Sequence, residues 1–138
     1  MDESAKYFQL DPETVAASPG RYVDTLDVEP VEFVRGLVFR PVLGEELMVN
    51  YVSYEPHTDA PRHAHAEEQI LLVVEGELEV DLGEERRTLK PGQLAVIPPF
   101  VPHAARTHEG TCVQVDIFHP PRQALLDLVQ ARGNSITG

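Results

Sequence analysis

His63-Ala64-His65-Ala66-Glu67-Glu68-Gln69-Ile70-Leu71-Leu72-Val73-Val74-Glu75-Gly76 is the stretch that decides the fold. Its two histidines stand at i and i+2, positions that share a face on a strand. They can therefore aim both imidazoles at one point. From Ile70 to Val74 every residue is apolar. An antiparallel strand with one wet face alternates instead, so this one reads as covered on both sides. One face lines an interior, and the other meets a second sheet or a second subunit.

Downstream the pattern stays strand-like. Leu78, Val80 and Leu82 alternate with Glu79 and Asp81, whose carboxylates read as a solvated strand face. Gly83-Glu84-Glu85 turns the chain, and Arg86-Arg87-Thr88-Leu89 returns beside it with opposite charge. Gln93 to Ile97 is a strand ended by Pro98-Pro99, and His103 follows in a proline-bounded loop. Cys112 to Phe118 alternates, with Val113, Val115 and Ile117 on one face and Cys112, Gln114, Asp116 and Phe118 on the other. Pro121 to Arg132 reads as a helix with Leu125, Leu128 and Val129 on one stripe and Gly133 after its end.

Upstream, Leu47 to Tyr54 is a strand, and Val31–Val34 and Leu37–Phe39 are strand pieces around Arg35-Gly36. Glu55 to Pro61 reads as a loop leading into the histidines. Residues 1–30 form an arm, with a short helix starting at Asp11-Pro12-Glu13 and stopped by Ser18-Pro19-Gly20. Short strands, twelve prolines and nine glycines, without βαβ spacing, point to an all-β sandwich or barrel at 31–120 and a terminal helix and tail at 121–138.

Composition narrows the function. At 138 residues one domain is expected. A net charge of −12 repels nucleic acid and anionic membranes, and no apolar run spans a bilayer. The acidic start lacks the pattern of a signal peptide, and Cys112 is the only cysteine, so a cytoplasmic protein is expected.

A divalent first-row ion needs three or four converging N or O donors. His63 and His65 supply two, the Gln69 amide oxygen a third, and His103 a fourth from the next turn of the barrel. This set is uncharged. It leaves a divalent ion more electrophilic than a carboxylate-containing set and favours Lewis-acid chemistry over oxygen activation. Zn, Fe, Ni, Mn and Cu(II) all suit such donors; Mg and Ca do not.

These residues carry a resemblance to the cupin superfamily. Its first motif reads G-x5-H-x-H-x3–4-E-x6-G, and His63, His65, Gln69 and Gly76 fall in register. Its second reads G-x5-P-x-G-x2-H-x3-N, matched by Gly92, Pro98 and His103. The departures are His57 and Phe100 for glycines, Gln69 for Glu and Thr107 for Asn. Pro98-Pro99-Phe100-Val101-Pro102-His103 and Asp116-Ile117-Phe118-His119-Pro120-Pro121-Arg122 resemble the pectin-degradation type, which opens or tautomerises unsaturated uronates. The resemblance implies a double-stranded β-helix, or jelly-roll barrel, around one divalent transition metal.

Asp116 is a candidate general base, or a carboxylate satisfied by its surroundings. Arg122 is a candidate clamp for a substrate carboxylate, or an ion-pair partner at the helix start. Phe118, Phe100, Tyr51 and Gln114 are candidate substrate contacts. Arg62 and Arg106 read as solvated, and His57, His108 and His119 as loop histidines. Three functions follow. The first is isomerisation, tautomerisation or ring opening of a small acidic carbohydrate or keto acid. The second is a non-catalytic metal-containing binding module, and the third an Fe(II) dioxygenase. The doubly apolar strand predicts a homodimer.

Overall fold

The computed structural model describes residues 3–10 and 13–133. Ten strands build two antiparallel sheets. They are β1 Val31–Val34, β2 Leu37–Leu43, β3 Met48–Tyr54, β4 Asp59–His63, β5 Glu68–Gly76, β6 Leu78–Leu82, β7 Glu85–Leu89, β8 Leu94–Ile97, β9 His103–Arg106 and β10 Cys112–His119. The larger sheet runs β1-β2-β3-β10-β5-β8 and the smaller β4-β9-β6-β7. Helix α1 spans Glu3–Tyr7 and α2 spans Gln123–Ala131. The protein is an all-β jelly roll with one C-terminal helix.

Alternation builds the core. Leu71 and Val73 of β5, Val52 and Tyr54 of β3 and Cys112 of β10 face Leu78, Val80, Leu89 and Ala105 of the other sheet. A second cluster joins Met48 and Phe118 to Leu125 and Val129 of α2, which closes one end of the barrel. The α2 stripe is the one the sequence predicts, and Gly133 takes a φ of 75° just past the helix end.

Several expectations change. Asp59–His63 is a strand, although Pro61 and its polar neighbours conceal it. His63 ends β4 while His65 lies in the bend before β5, so the two do not share a strand face. The proposed helix start at Asp11-Pro12 lies outside the described residues, and Glu13 to Asp24 carry no helix. The Glu79 and Asp81 side chains are not simply solvated. Arg106 donates to Glu79 at 2.6 Å and to Asp81 at 2.8 Å, and Arg86 pairs with Asp81 at 2.7 Å. Arg106 is thereby a cross-strand tie and not a free surface cation.

Among the described residues no second sheet covers the outer face of β5. Strand register there assembles a continuous apolar surface: Val49, Ile117, Ile70 and Val96 form one row across the large sheet. Tyr51, Val115, Leu72 and Leu94 form the next. Leu94 and Val96 are about half exposed.

Both motif glycines that this chain replaces mark left-handed backbone. His57 has φ 54° and Phe100 φ 66°, the two non-glycine residues of positive φ among those described. Such a conformation costs an L-residue about 1–2 kcal/mol. Gly76, by contrast, is retained where a Cβ would sit 2.0 Å from the Thr111 carbonyl oxygen. Two thermal-melt results follow. His57→Gly stabilises by about 0.5–1 kcal/mol, the strain relief less glycine's entropy. Gly76→Ala destabilises by about 3 kcal/mol or more, because backbone must move.

Candidate metal centre

Each site histidine is fixed by the chain next to it. His63 Nδ1–H donates to the Pro61 carbonyl at 2.7 Å, His65 Nδ1–H to Glu67 at 2.9 Å and His103 Nδ1–H to Val101 at 2.9 Å. A carbonyl oxygen can only accept, so these bonds assign the proton to Nδ1 in all three rings. Every Nε2 is left with a lone pair. The three rings cluster with centroids 4.3–5.5 Å apart, and their ligand atoms lie within 4.8 Å of one another. His103 Nε2 is buried and has no hydrogen-bond partner.

Gln69 faces the same point from β5. Its Nε2 donates to Asp116 at 2.7 Å, which turns its Oε1 towards His65 Nε2 at 3.1 Å. Two acceptors then confront each other with no proton between them when His65 is neutral. A cation resolves that arrangement, and the donor set is one that transition metals accept. The residues therefore fit a divalent ion, with His63, His65 and His103 as a cluster able to hold it and Gln69 beside them.

Two sheets share the construction. His63 and His103 pair across β4 and β9, whereas Gln69 belongs to the large sheet. The bend carrying His65 is held by the Phe100 N–H, which donates to the His65 carbonyl at 2.8 Å. Thr107 Oγ1 donates to the Glu55 carbonyl at 2.5 Å and accepts from Thr58 N–H at 3.1 Å, locking the start of β4 to the end of β9. The second motif's last position is thus structural here.

Burial sets the protonation states. It lowers His65 and pushes His103 down to about 4, so both are neutral at pH 7. Burial also raises Asp116 to about 7, against the pull of hydrogen bonds from Gln114, Gln69 and Asn50. Glu67 is raised by burial but ends below its ordinary value. The Gln123 N–H at 2.9 Å and the charge of Arg122 outweigh the desolvation. Arg122 lies 3.9 Å from Glu67, beyond hydrogen-bond reach, and burial lowers it.

The three histidines, Gln69, Asp116 and Arg122, but not Glu67, line a cavity of about 290 Å³ between the sheets and under α2. Gln114, Asp116, Phe118 and Arg122 all lie on its wall. Gln114 donates to Asp116 at 2.6 Å, and its own Oε1 is buried without a partner. The Phe118 ring centroid is 5.8 Å from that of His65.

Two expected substrate contacts are corrected. Tyr51 sits on the outer face of β3, and Asn50, Val52 and Tyr54 point inward instead. Apolar residues occupy both parities of that strand, so hydrophobicity alone cannot choose. Phe100 is 69% exposed and outside the cavity wall, acting through its backbone. Sequence reading missed Asn50 and Glu67. The first is a lone polar residue on an inward parity, and the second has no local signal that separates it from Glu68.

Residues 50–118 match the family model described as Cupin_2, cupin domain. The chain belongs to the cupin family. KdgF from Halomonas superposes with a TM-score of 0.73 at 28% identity, over 78% of this chain and 100% of that one. An RmlC-like cupin from Shewanella frigidimarina gives 0.71 at 25% identity, over 78% and 96%. An H2HPP isomerase of Bacillus subtilis is 40% identical over 74 residues, which are 52% of this chain and 30% of that protein. The cupin therefore spans under a third of that relative's length.

Two measurements test the centre. Elemental analysis of protein purified without an affinity tag finds about one equivalent of transition metal, and His103→Ala lowers metal affinity at least about tenfold. The second is pH-dependent. Between about pH 4 and 7 folded Asp116 keeps a proton that the unfolded chain has released, so its contribution to stability falls as pH rises through 7. His65 and His103 act oppositely, since as pH falls below about 6.5 the unfolded chain protonates them before the folded chain does. Comparison with Asp116→Asn isolates the carboxyl. In chelator, the melting-temperature gain of that variant over wild type is larger at pH 8 than at pH 5.

Proposed function

We propose that this cupin is a metal-dependent isomerase that shifts a proton on a small carbonyl acid, with Asp116 as the base. A buried, cavity-lining carboxylate hydrogen-bonded to the Gln69 amide beside three lone-pair-bearing imidazoles carries this reading. A divalent ion bound by His63, His65, His103 and Gln69 supplies Lewis-acid polarisation of a carbonyl oxygen. Asp116 takes a proton from the carbon beside the carbonyl and returns it at the other end of the enolate. The C–H electron pair moves into the enolate and back, so no oxidant or co-reactant is needed. A pKa near 7 suits a group that must both take and release a proton at neutral pH. Arg122 holds the carboxylate of the acid. Similarity to a protein named as an isomerase supports the reaction class.

One observation favours a non-catalytic binding module instead: Asp116 is already engaged by three amides. Exchange of the C3 hydrogens of 2-oxobutanoate into D2O, followed by proton NMR, separates the two. The enzyme reading expects exchange well above buffer, reduced about 100-fold or more by Asp116→Asn with ligand binding retained. Exchange that is absent, or that is unchanged in the variant, refutes it.

We also infer that the outer face of the large sheet pairs with a second copy. The two apolar rows support this, as do Tyr7, Phe8, Leu10 and Tyr22 of the arm, each at least 79% exposed. Pairing strands of about 4.8 Å spacing and 3.3 Å rise gives this face roughly 400 Å², about half the area per partner of a stable interface, so the arm must contribute. Light scattering should give a dimer, weakened by Leu94→Glu; a monomer contradicts the inference.

A further inference from the structure

We propose that the substrate is a 2-oxo or 2-hydroxy acid whose remaining body is an apolar ring or branched chain, not a sugar acid. This rests on the cavity being the substrate site, and it adds which molecule fits.

The wall is mixed. The polar side chains on it are the imidazoles, Gln69, Gln114, Asp116 and Arg122, with Asn50, Tyr54 and Arg62. Arg122 is half-buried, and its nearest carboxylate, Glu67, is at 3.9 Å, so its N–H donors remain free for a carboxylate. Apolar side chains, Phe33, Leu37, Phe39, Leu71, Leu125 and Leu128 among them, make up much of the remainder. Phe33 and Phe39 stack at 5.6 Å with an interplanar angle of 14°, presenting a flat apolar surface.

A uronate carries hydroxyls around its whole ring. Each one placed against that surface loses its water and gains no partner, which disfavours the sugar. An apolar body gains from the same contact. A carboxylate and an adjacent oxygen reach the polar side chains together, the one to Arg122 and the other to the imidazole cluster. Gln114 Oε1, buried and unpartnered, offers one acceptor for a hydroxyl. At about 30 Å³ per water-sized group, the cavity holds about ten such groups, the size of a ring plus an oxo-acid head.

The test is calorimetric titration of zinc-loaded protein with benzoylformate, pyruvate and galacturonate. Benzoylformate has no hydrogen on the carbon beside its ketone and cannot tautomerise, so its binding is read without turnover. It should bind at least about tenfold tighter than either competitor. Phe33→Ala, at a half-exposed position, should weaken benzoylformate at least about threefold and leave pyruvate unchanged. Galacturonate binding as well as benzoylformate overturns the proposal. So does equal binding of all three, no binding of any, or a Phe33→Ala effect that is absent or common to all. Loss of proton exchange with this binding order intact would refute the isomerase reading alone.

Discussion

Three imidazole N–H groups donate to carbonyls within two residues of their own rings, and the rest of the site depends on this. Each bond places the proton on Nδ1 and leaves a lone pair on Nε2. Burial then disfavours protonating those lone pairs on His65 and His103. The fold gathers three acceptors where no donor meets His103 Nε2. Proteins seldom leave buried acceptors unmatched, and a cation is the simple complement.

Gln69 joins this cluster to the reactive side of the cavity. Its amide is oriented by Asp116, so one hydrogen bond fixes both the oxygen facing His65 and the carboxyl behind it. A glutamate at this position would bring two carboxylates together, and one would have to stay protonated. Glutamine removes that conflict. It leaves Asp116 as the one carboxylic acid among the cavity-lining residues.

Much of this was legible in the sequence because strand parity and motif spacing are local. The alternation in β10 assigned Gln114, Asp116 and Phe118 to one face, and the H-x-H spacing with Gln69 and His103 named the residues that the fold gathers. The H-x-H parity does not explain the pair, since His63 and His65 meet across a bend and not along one strand. Parity failed on β3, where Tyr51 and Val52 are both apolar enough to face inward. Glu67 was invisible because its role depends on α2 arriving 56 residues later to present the Gln123 N–H. His57 and Phe100 looked like losses of motif glycines, yet the backbone keeps the left-handed turns those glycines mark.

X-ray absorption at the metal edge of zinc-loaded protein addresses the central claim most directly. The expected spectrum has three imidazole nitrogens and at least one oxygen at about 2.0–2.2 Å, with one imidazole lost in His65→Ala. A shell with fewer than three imidazoles, or one that survives that substitution unchanged, contradicts the account.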